Sequence, residues 1–165
     1  MIVLCYDGSE DARAAVEGAA KLFPGVSVTV LTVWQPFVEV VAHSTIGFGM
    51  VPSIPDSDEL DQASSNSAEK TAGEGVELAK KLGLEAEPLA FAQTSTTARA
   101  ILAEADKLGA TAIVMGSRGL TGVKSMLLGS VSHEVIQHAD RTVVVVPSPH
   151  VAESRARERH QEGPD

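Results

Sequence analysis

Five short runs rich in valine and isoleucine alternate with longer stretches whose apolar residues recur every three or four positions. That alternation of periods is typical of strands followed by helices. The runs lie at about residues 1–6, 26–34, 84–91, 110–115 and 141–146. Val143-Val144-Val145-Val146 is apolar on both faces, as in a parallel sheet covered on both sides. Because parallel strands are joined by right-handed crossovers, the order βαβαβαβαβ predicts one open α/β sheet with helices on both faces.

The helices between these strands are marked by apolar stripes and by capping residues. The first stripe follows Ser9, a residue type favoured at N-caps, and carries Glu10 and Asp11 in its first turn. The other stripes lie at about residues 68–82, 98–108 and 130–139, with Thr96 or Thr97 as the N-cap of the third helix. These stripes place a helix in each connection between successive strands.

The chain of 165 residues has the length of a single domain, which we assign to residues 1–148. Residues 35–60 fit neither period and are rich in proline and glycine, so we expect a long irregular excursion there. From residue 149 onward the apolar pattern stops and charges of both signs mix. We therefore expect residues 149–165 to form a frayed tail.

The chain is acidic, with a formal net charge of -9 and a pI of about 5.0. Such a field repels nucleic acids and anionic lipid surfaces, so a bound phosphate must be held by local donors. No apolar run approaches the ~20 residues of a membrane span, and the N-terminus lacks the pattern of a secretory signal. The one cysteine, Cys5, lies in an apolar run and has no disulfide partner. We expect a cytoplasmic protein that binds neither nucleic acid nor membrane.

The segment 114–130 leaves the fourth strand and enters the fourth helix, with glycines at 116, 119, 122 and 129. Ligands of open α/β sheets bind at that end of the strands, and glycines together with a helix N-terminus bring free amides close to a phosphate. The spacing matches neither the P-loop nor the Gly-x-Gly-x-x-Gly dinucleotide fingerprint. Since loop glycines often serve turns, the residues alone leave phosphate binding and a simple turn both open.

Gly116-x-x-Gly119, followed after nine residues by Gly129-Ser130, resembles the nucleotide loop of the universal stress protein family, in its ATP-binding branch. The resemblance covers about residues 1–148 and includes the segments 3–9, 112–117, 127–131 and 143–147. One departure lies before the third helix, where residues 93–97 replace the Gly-x-Pro element common in the family. The resemblance implies the strand order 3-2-1-4-5, with ATP lying over the ends of strands one and four.

Four residues near the strand ends take implied roles in holding the nucleoside. Asp7 would accept a hydrogen bond from a ribose hydroxyl, although an Asx turn is its alternative role. Tyr6 would contact the nucleotide through its backbone. Val33 would line the adenine pocket or serve as a core valine, and Met115 would pack near the base or ribose.

The loop residues take implied roles at the phosphates. Gly116 and Gly119 would let the loop wrap the phosphates, while Arg118 and Lys124 would either neutralise them or remain solvated. Backbone amides would come from Gly129, Ser130 and Val131, and a helix N-cap role for Ser130 is compatible with this.

The resemblance implies an ATP-binding regulatory protein of the stress response, in which nucleotide occupancy tunes a homodimer. The dimer would join along strand 141–146, an edge strand without a charge to discourage pairing. No cluster has metal-ligand spacing, so we assign no metal site. Because the loop contains no carboxylate, we expect Mg²⁺ to be held mainly by the phosphates. We assign no catalytic residue, because no nucleophile has an obvious base. A slow ATPase and a nucleotide-free dimeric scaffold are the alternatives.

Overall fold

The structure is a computed structural model that describes residues 1–37, 57–120 and 128–161, with side chains to residue 157. The strands are β1 (Ile2–Cys5), β2 (Ser27–Trp34), β3 (Glu85–Ala92), β4 (Ala112–Gly116) and β5 (Thr142–Val146). The helices are α1 (Glu10–Leu22), α2 (Ser57–Lys81), α3 (Thr97–Lys107), α4 (Ser130–His138) and α5 (Pro149–Gln161). None of the helices within these ranges is both long and apolar enough to cross a membrane.

The five strands form one parallel sheet in the order β3-β2-β1-β4-β5, which confirms the predicted fold class and strand order. Ile2 of β1 pairs with Val28 of β2 on one side and with Ala112 of β4 on the other. Strand order reverses at β1, since β2 and β3 extend to one side and β4 and β5 to the other. A crevice therefore opens at the carboxyl ends of β1 and β4.

Alternate residues of the strands pack into two separate apolar layers. Ile2 and Leu4 face the layer formed with α1 and α2, whereas Val3 faces the layer formed with α3 and α4. The adjacent strand residues Ile113 and Val114 divide between the layers in the same way. Both faces of the sheet are thus covered, as the two-sided apolar character of the strands predicts.

Hydroxyl caps fix where α1 and α3 begin. The Ser9 side chain accepts the Ala12 N–H at 3.1 Å, and the Thr96 side chain accepts the Arg99 N–H at 3.3 Å. Thr96 is therefore the N-cap of α3, which decides between the two threonines. The neighbouring Thr97 hydroxyl donates to the Gln93 side chain at 2.7 Å, so polar residues replace the family's Gly-x-Pro element at this entry.

Helix α2 begins earlier than its apolar stripe predicts. Residues 57–60 were assigned to the irregular excursion, but they form the first turn of α2, with Asp58 and Glu59 favouring the positive end of the helix dipole. The first buried residue of α2 is Ala68, so the exposed start of the helix carries no apolar period. The Phe37 N–H donates to Asp61 Oδ1 at 2.6 Å, which ties the segment after β2 to this helix. The rest of the predicted excursion, 38–56, lies outside the described residues.

Residues 149–161, where we expected a frayed tail, form the helix α5. Pro149 suits the first position of a helix, and the Ala152 N–H donates to the Ser148 carbonyl at 2.9 Å. Val151 is buried. The Arg157 guanidinium forms an ion pair with Glu153 one turn earlier, with Nη2 at 3.7 Å from Oε2. A helix with so few buried apolar residues gives no periodic signal in the sequence.

Candidate functional site

A cleft of about 580 Å³ lies at the carboxyl ends of β1 and β4, where the strand order reverses. Its walls come from the turn after β1, the loop after β4 and the first turn of α4. All ten described residues with a predicted contact to the nucleotide line it: Tyr6, Asp7, Val33, Met115, Gly116, Arg118, Gly119, Gly129, Ser130 and Val131. The fold therefore brings the predicted set together around one cavity, and Lys124 lies outside the described residues.

One part of the cleft wall is apolar. The side chains there belong to residues of β1, β2, β4 and α3: Cys5, Leu31, Val33, Ile101 and Met115. Val33 also packs against the layer formed with α3 and α4, so it is a core valine that lines the cleft as well. Burial, helped by the nearby Asp7 charge, raises the pKa of the Cys5 thiol to about 12, so this cysteine is an uncharged apolar contact at neutral pH.

Asp7 lies at the rim of the cleft and already has two partners within the chain. Its Oδ1 accepts the Ser9 N–H at 3.0 Å, which is the Asx turn considered from the sequence. Its Oδ2 accepts the Leu120 N–H at 3.2 Å, which ties the turn after β1 to the loop after β4. A carboxylate oxygen has more than one lone-pair site, so these contacts leave Asp7 able to accept a ligand hydroxyl.

Ser117, in the loop after β4, makes hydrogen bonds to three different elements of the fold. It is fully buried, its N–H donates to the Val146 carbonyl at 2.9 Å, and its hydroxyl donates to Asp11 Oδ2 at 2.6 Å. Its own carbonyl accepts the Gly129 N–H at 2.8 Å and the Ser132 hydroxyl at 2.8 Å. One residue thus joins β5, α1 and the start of α4, and its hydroxyl acts as a hydrogen-bond donor.

Asp11, in the first turn of α1, lies behind this loop and is only 6% exposed. Besides the Ser117 hydroxyl, its Oδ2 accepts the Arg118 N–H at 3.0 Å. Burial raises the pKa of the Asp11 carboxyl, but hydrogen bonds from Ser117 and Ser148 and the Arg118 charge outweigh burial, so the pKa lies below its usual value. Asp11 is therefore ionised at neutral pH and acts as a fixed acceptor.

Arg118 is not a solvated loop charge, which was one of its two predicted roles. Its side chain is only 13% exposed, and its Nε lies 3.9 Å from Asp11 Oδ2. The guanidinium is thus held at the wall of the cleft beside a carboxylate. Such a position lets the same cation face an anionic group in the cavity.

Gly116 and Gly119 also make close contacts within the protein, and their role of wrapping phosphates stays a prediction. A Cβ at Gly116 would lie 2.8 Å from the backbone carbon of Asp11, so only glycine lets β4 approach α1 this closely. A Cβ at Gly119 would lie 2.7 Å from Asp7 Oδ2. Both glycines line the cleft. The neighbours of Gly116 include backbone atoms, so the fold requires glycine there, whereas the neighbour of Gly119 is the end of the Asp7 side chain.

The first turn of α4 forms the opposite wall. The N-cap is Gly129 rather than Ser130, which corrects that assignment, and its glycine provides no side-chain hydrogen bond to the first turn. Ser130 is the first helical residue and is exposed, and Val131 is half-buried. The positive end of the helix dipole and the N–H groups of this turn therefore adjoin the cavity.

Sequence reasoning missed Asp11 and Ser132 as parts of this site. Asp11 was assigned only a helix-dipole role, although it lies four residues before Ala15 on the apolar stripe of α1. Ser132 lies three residues before the buried Val135 of α4. A polar residue on an apolar stripe is the signal that could have found both, because such a residue needs a buried partner.

Within the described ranges, no group of three or more histidine, cysteine, aspartate or glutamate residues could hold a metal ion. The carboxylates beside the loop, Asp7 and Asp11, accept hydrogen bonds from the protein instead.

The model of the universal stress protein family matches residues 1–147. The universal stress protein YxiE of Bacillus subtilis (strain 168) is 32% identical over 147 residues, which are 88% of this chain and 97% of YxiE. A universal stress protein from Archaeoglobus fulgidus, solved in complex with dAMP, has a TM-score of 0.60 and 23% identity, over 88% of this chain and 95% of that one.

Another universal stress protein, solved in complex with cAMP, has a TM-score of 0.58 and 20% identity, with 89% of this chain and 95% of that chain covered. At these identities the two solved structures support the fold, whereas the family match rests on sequence along nearly the whole α/β unit. The chain belongs to the universal stress protein family.

Proposed function

We propose that this chain is a cytoplasmic, ATP-binding regulatory protein whose nucleotide occupancy tunes a homodimer. The observation that carries the proposal is the cleft, in which an apolar wall and the amide-rich first turn of α4 face one cavity of about 580 Å³. An aromatic base attached to phosphates needs that combination of surfaces. Two universal stress proteins of the same fold, described as complexes with dAMP and cAMP, support an adenine nucleotide as the ligand.

In this proposal the adenine lies against Val33, Ile101 and Met115, and a ribose hydroxyl donates to Asp7. The phosphates lie at the first turn of α4, where the N–H groups and the dipole of the helix favour an anion. Arg118 at the wall supplies a cation. Because the chain carries a net charge of -9, these local donors must overcome a repulsive overall field. Mg²⁺, when it accompanies ATP, is held chiefly by the phosphates.

The direct test is to purify the protein without added ligand, denature it by heat and identify any released nucleotide by mass. Calorimetric titration with ATP then compares the parent with Gly129→Val, whose side chain fills space at the start of α4. We expect the affinity for ATP to fall at least about tenfold, or about 1.4 kcal/mol.

Gly73→Val is the matched control, because a Cβ at Gly73 meets nothing within 4 Å and this glycine lies on α2 away from the cleft. Its affinity for ATP should equal that of the parent. Equal ATP affinity in the parent and in folded Gly129→Val contradicts phosphate binding at this turn.

We also propose that the protein binds ATP without significant turnover. Asp7 and Asp11 already accept hydrogen bonds within the chain. The remaining acceptor site of Asp7 is taken by the ribose hydroxyl in this proposal, so neither carboxylate is left as a general base for water. Phosphoryl transfer depends on such positioning. Incubation of the parent with labelled ATP and Mg²⁺ tests this, and a kcat of about 1 per second or more would place the protein among enzymes.

The proposed dimer joins two copies along β5. The other sheet edge, β3, carries Glu85, Glu87 and Pro88, which discourage pairing by charge and by loss of a donor. Strand β5 carries only half-buried valines after Thr142. A two-fold axis would pair this strand with its own copy in antiparallel orientation.

Sedimentation velocity of the parent at micromolar concentration should find a dimer, and the double variant Val144→Lys, Val146→Lys should be a monomer. Two unpaired charges at a buried interface cost several kcal/mol, about 3–5 when a partner is missing. Glu87→Lys on the opposite edge is the control and should leave the dimer intact. A monomeric parent, or a double variant that remains dimeric, contradicts the interface.

A further inference from the structure

The Asp11 carboxylate does not line the cleft, yet it is connected to the first turn of α4 through one residue. Asp11 Oδ2 accepts the Ser117 hydroxyl at 2.6 Å and the Arg118 N–H at 3.0 Å. The Ser117 carbonyl in turn accepts the Gly129 N–H and the Ser132 hydroxyl, each at 2.8 Å. Asp11 of α1 thus holds Ser117, and Ser117 in turn positions the start of α4 relative to the cavity.

The Asp11 carboxylate also accepts a hydrogen bond from a residue outside the loop. The Ser148 hydroxyl, 1% exposed at the start of α5, also donates to the Asp11 carboxylate. A carboxylate that accepts several hydrogen bonds in a buried place is fixed in one orientation. Asp11 is therefore a rigid support and has little freedom to follow a displaced loop.

The charge of Asp11 opposes the proposed ligand. A carboxylate close to a phosphate site repels the phosphates, and it also competes for the Arg118 guanidinium, whose Nε lies 3.9 Å away. If Asp11 acted on ATP only through its charge, neutralising it would strengthen binding. If it acts by holding Ser117, neutralising it weakens binding, so the sign of the effect separates the two roles.

We propose that Asp11 is a positioning residue for the phosphate-binding part of the cleft, acting through Ser117 on the first turn of α4. The inference rests on the proposed nucleotide function and adds to it the residue that sets the phosphate geometry. Because the relay reaches α4 and not the apolar wall, it affects ligands with phosphates and leaves recognition of the nucleoside unchanged.

The experiment measures the affinities of ATP and of adenosine, by calorimetry or competition, for the parent, Asp11→Asn, Ser117→Ala and Glu10→Gln. We expect Asp11→Asn to lose at least about tenfold in ATP affinity while its adenosine affinity stays within about twofold. Ser117→Ala keeps the Asp11 charge and removes the hydroxyl that connects the two, so it should show the same selective loss. Glu10→Gln is the matched control, because Glu10 is exposed, adjacent in sequence and equal in charge.

Ser117→Ala carries the test if Asp11→Asn does not fold. An unchanged ratio of ATP to adenosine affinity, or tighter ATP binding by Asp11→Asn, overturns the positioning role while the proposed function stands. A parent that binds adenosine and ATP equally overturns both, since no phosphate site then exists to position. A parent that binds neither ligand overturns the proposed function and, with it, this inference.

Discussion

Two walls of the cleft, both rich in glycine and serine, differ in where their polar groups make contacts. The anchored wall, defined as Gly116 and Ser132 together with Asp11 and Ser117 behind them, makes its hydrogen bonds and close contacts within the protein. The open wall, defined as Gly129, Ser130 and Val131, lies at the start of α4, where the N-cap makes no side-chain hydrogen bond to the first turn. The anchored wall is thus fixed by the fold. In the open wall the Gly129 N–H is taken by the Ser117 carbonyl, so the first-turn N–H groups of Ser130 and Val131 are the donors that adjoin the cavity.

The glycines Gly116 and Gly129 make the difference clear. An added Cβ would lie 2.8 Å from the Asp11 backbone at Gly116, but 3.4 Å from its nearest neighbour, Arg118 Cα, at Gly129. The backbone of Gly129 has φ -71° and ψ 161°, an extended conformation open to any residue. The fold therefore demands glycine at the first position and not at the second, so a glycine in a loop is not by itself evidence of a ligand.

The largest effect on stability is expected from Gly116→Ala. Its methyl group would overlap backbone atoms of α1, which cannot rotate away, so we expect a loss of about 3 kcal/mol in the free energy of unfolding. Urea denaturation measures this loss. Gly129→Ala is the matched control and should change the free energy of unfolding by less than about 0.5 kcal/mol. Equal losses in the two variants would remove the distinction between the walls.

A second, smaller effect is expected from Asp11→Asn at neutral pH. The variant loses charge-assisted hydrogen bonds but keeps one acceptor, so we expect a loss of about 1.5 kcal/mol in the free energy of unfolding. Because the folded pKa of Asp11 is below its usual value, its ionised form stabilises the fold above the unfolded pKa of about 3.9. That contribution is lost as pH falls through the folded pKa.

Urea denaturation of the parent and of Asp11→Asn at several values between pH 7 and pH 3 tests whether the stabilisation by Asp11 decreases as the pH falls. The difference between the two proteins should be constant near neutrality and shrink in acid, because the parent then protonates the same carboxyl. A difference that grows as the pH falls would contradict the anchored role of this carboxylate.

The fold was predictable because its signals are local and repeated. Each of the five strands carries a β-branched or apolar run, and every connection between successive strands contains a helix. Within the described residues, the elements that were not predicted are those without a buried stripe, namely the exposed start of α2 before Ala68 and the helix α5, whose described part buries the apolar residue Val151. A pattern that depends on burial cannot report elements that bury little.

The site was predictable in one wall more than in the other. The open wall and the cavity around Met115 followed from a spacing of glycines and its family resemblance, and these residues do line one cleft. The anchored wall depends on the contact between Asp11 and Ser117, which are 106 residues apart in the chain. No local pattern contains such a contact, and its trace in the sequence is a polar residue on an apolar helix stripe.

The smallest effect on stability, and the sharpest separation of the walls, is expected from Gly129→Asp. Aspartate is a better N-cap than glycine and its charge suits the helix dipole, so the substitution should raise the free energy of unfolding by a few tenths of a kcal/mol. The same carboxylate would occupy the first turn of α4, where the proposed phosphates lie, and should reduce ATP affinity at least about tenfold by repulsion and by competition for the N–H groups.

Thermal unfolding without ligand and calorimetric titration with ATP measure the two changes. A gain in stability with unchanged ATP affinity would show that the open wall is only a helix end, whereas a gain in stability with a loss of binding would show that glycine is kept at Gly129 for the ligand and against the preference of the helix.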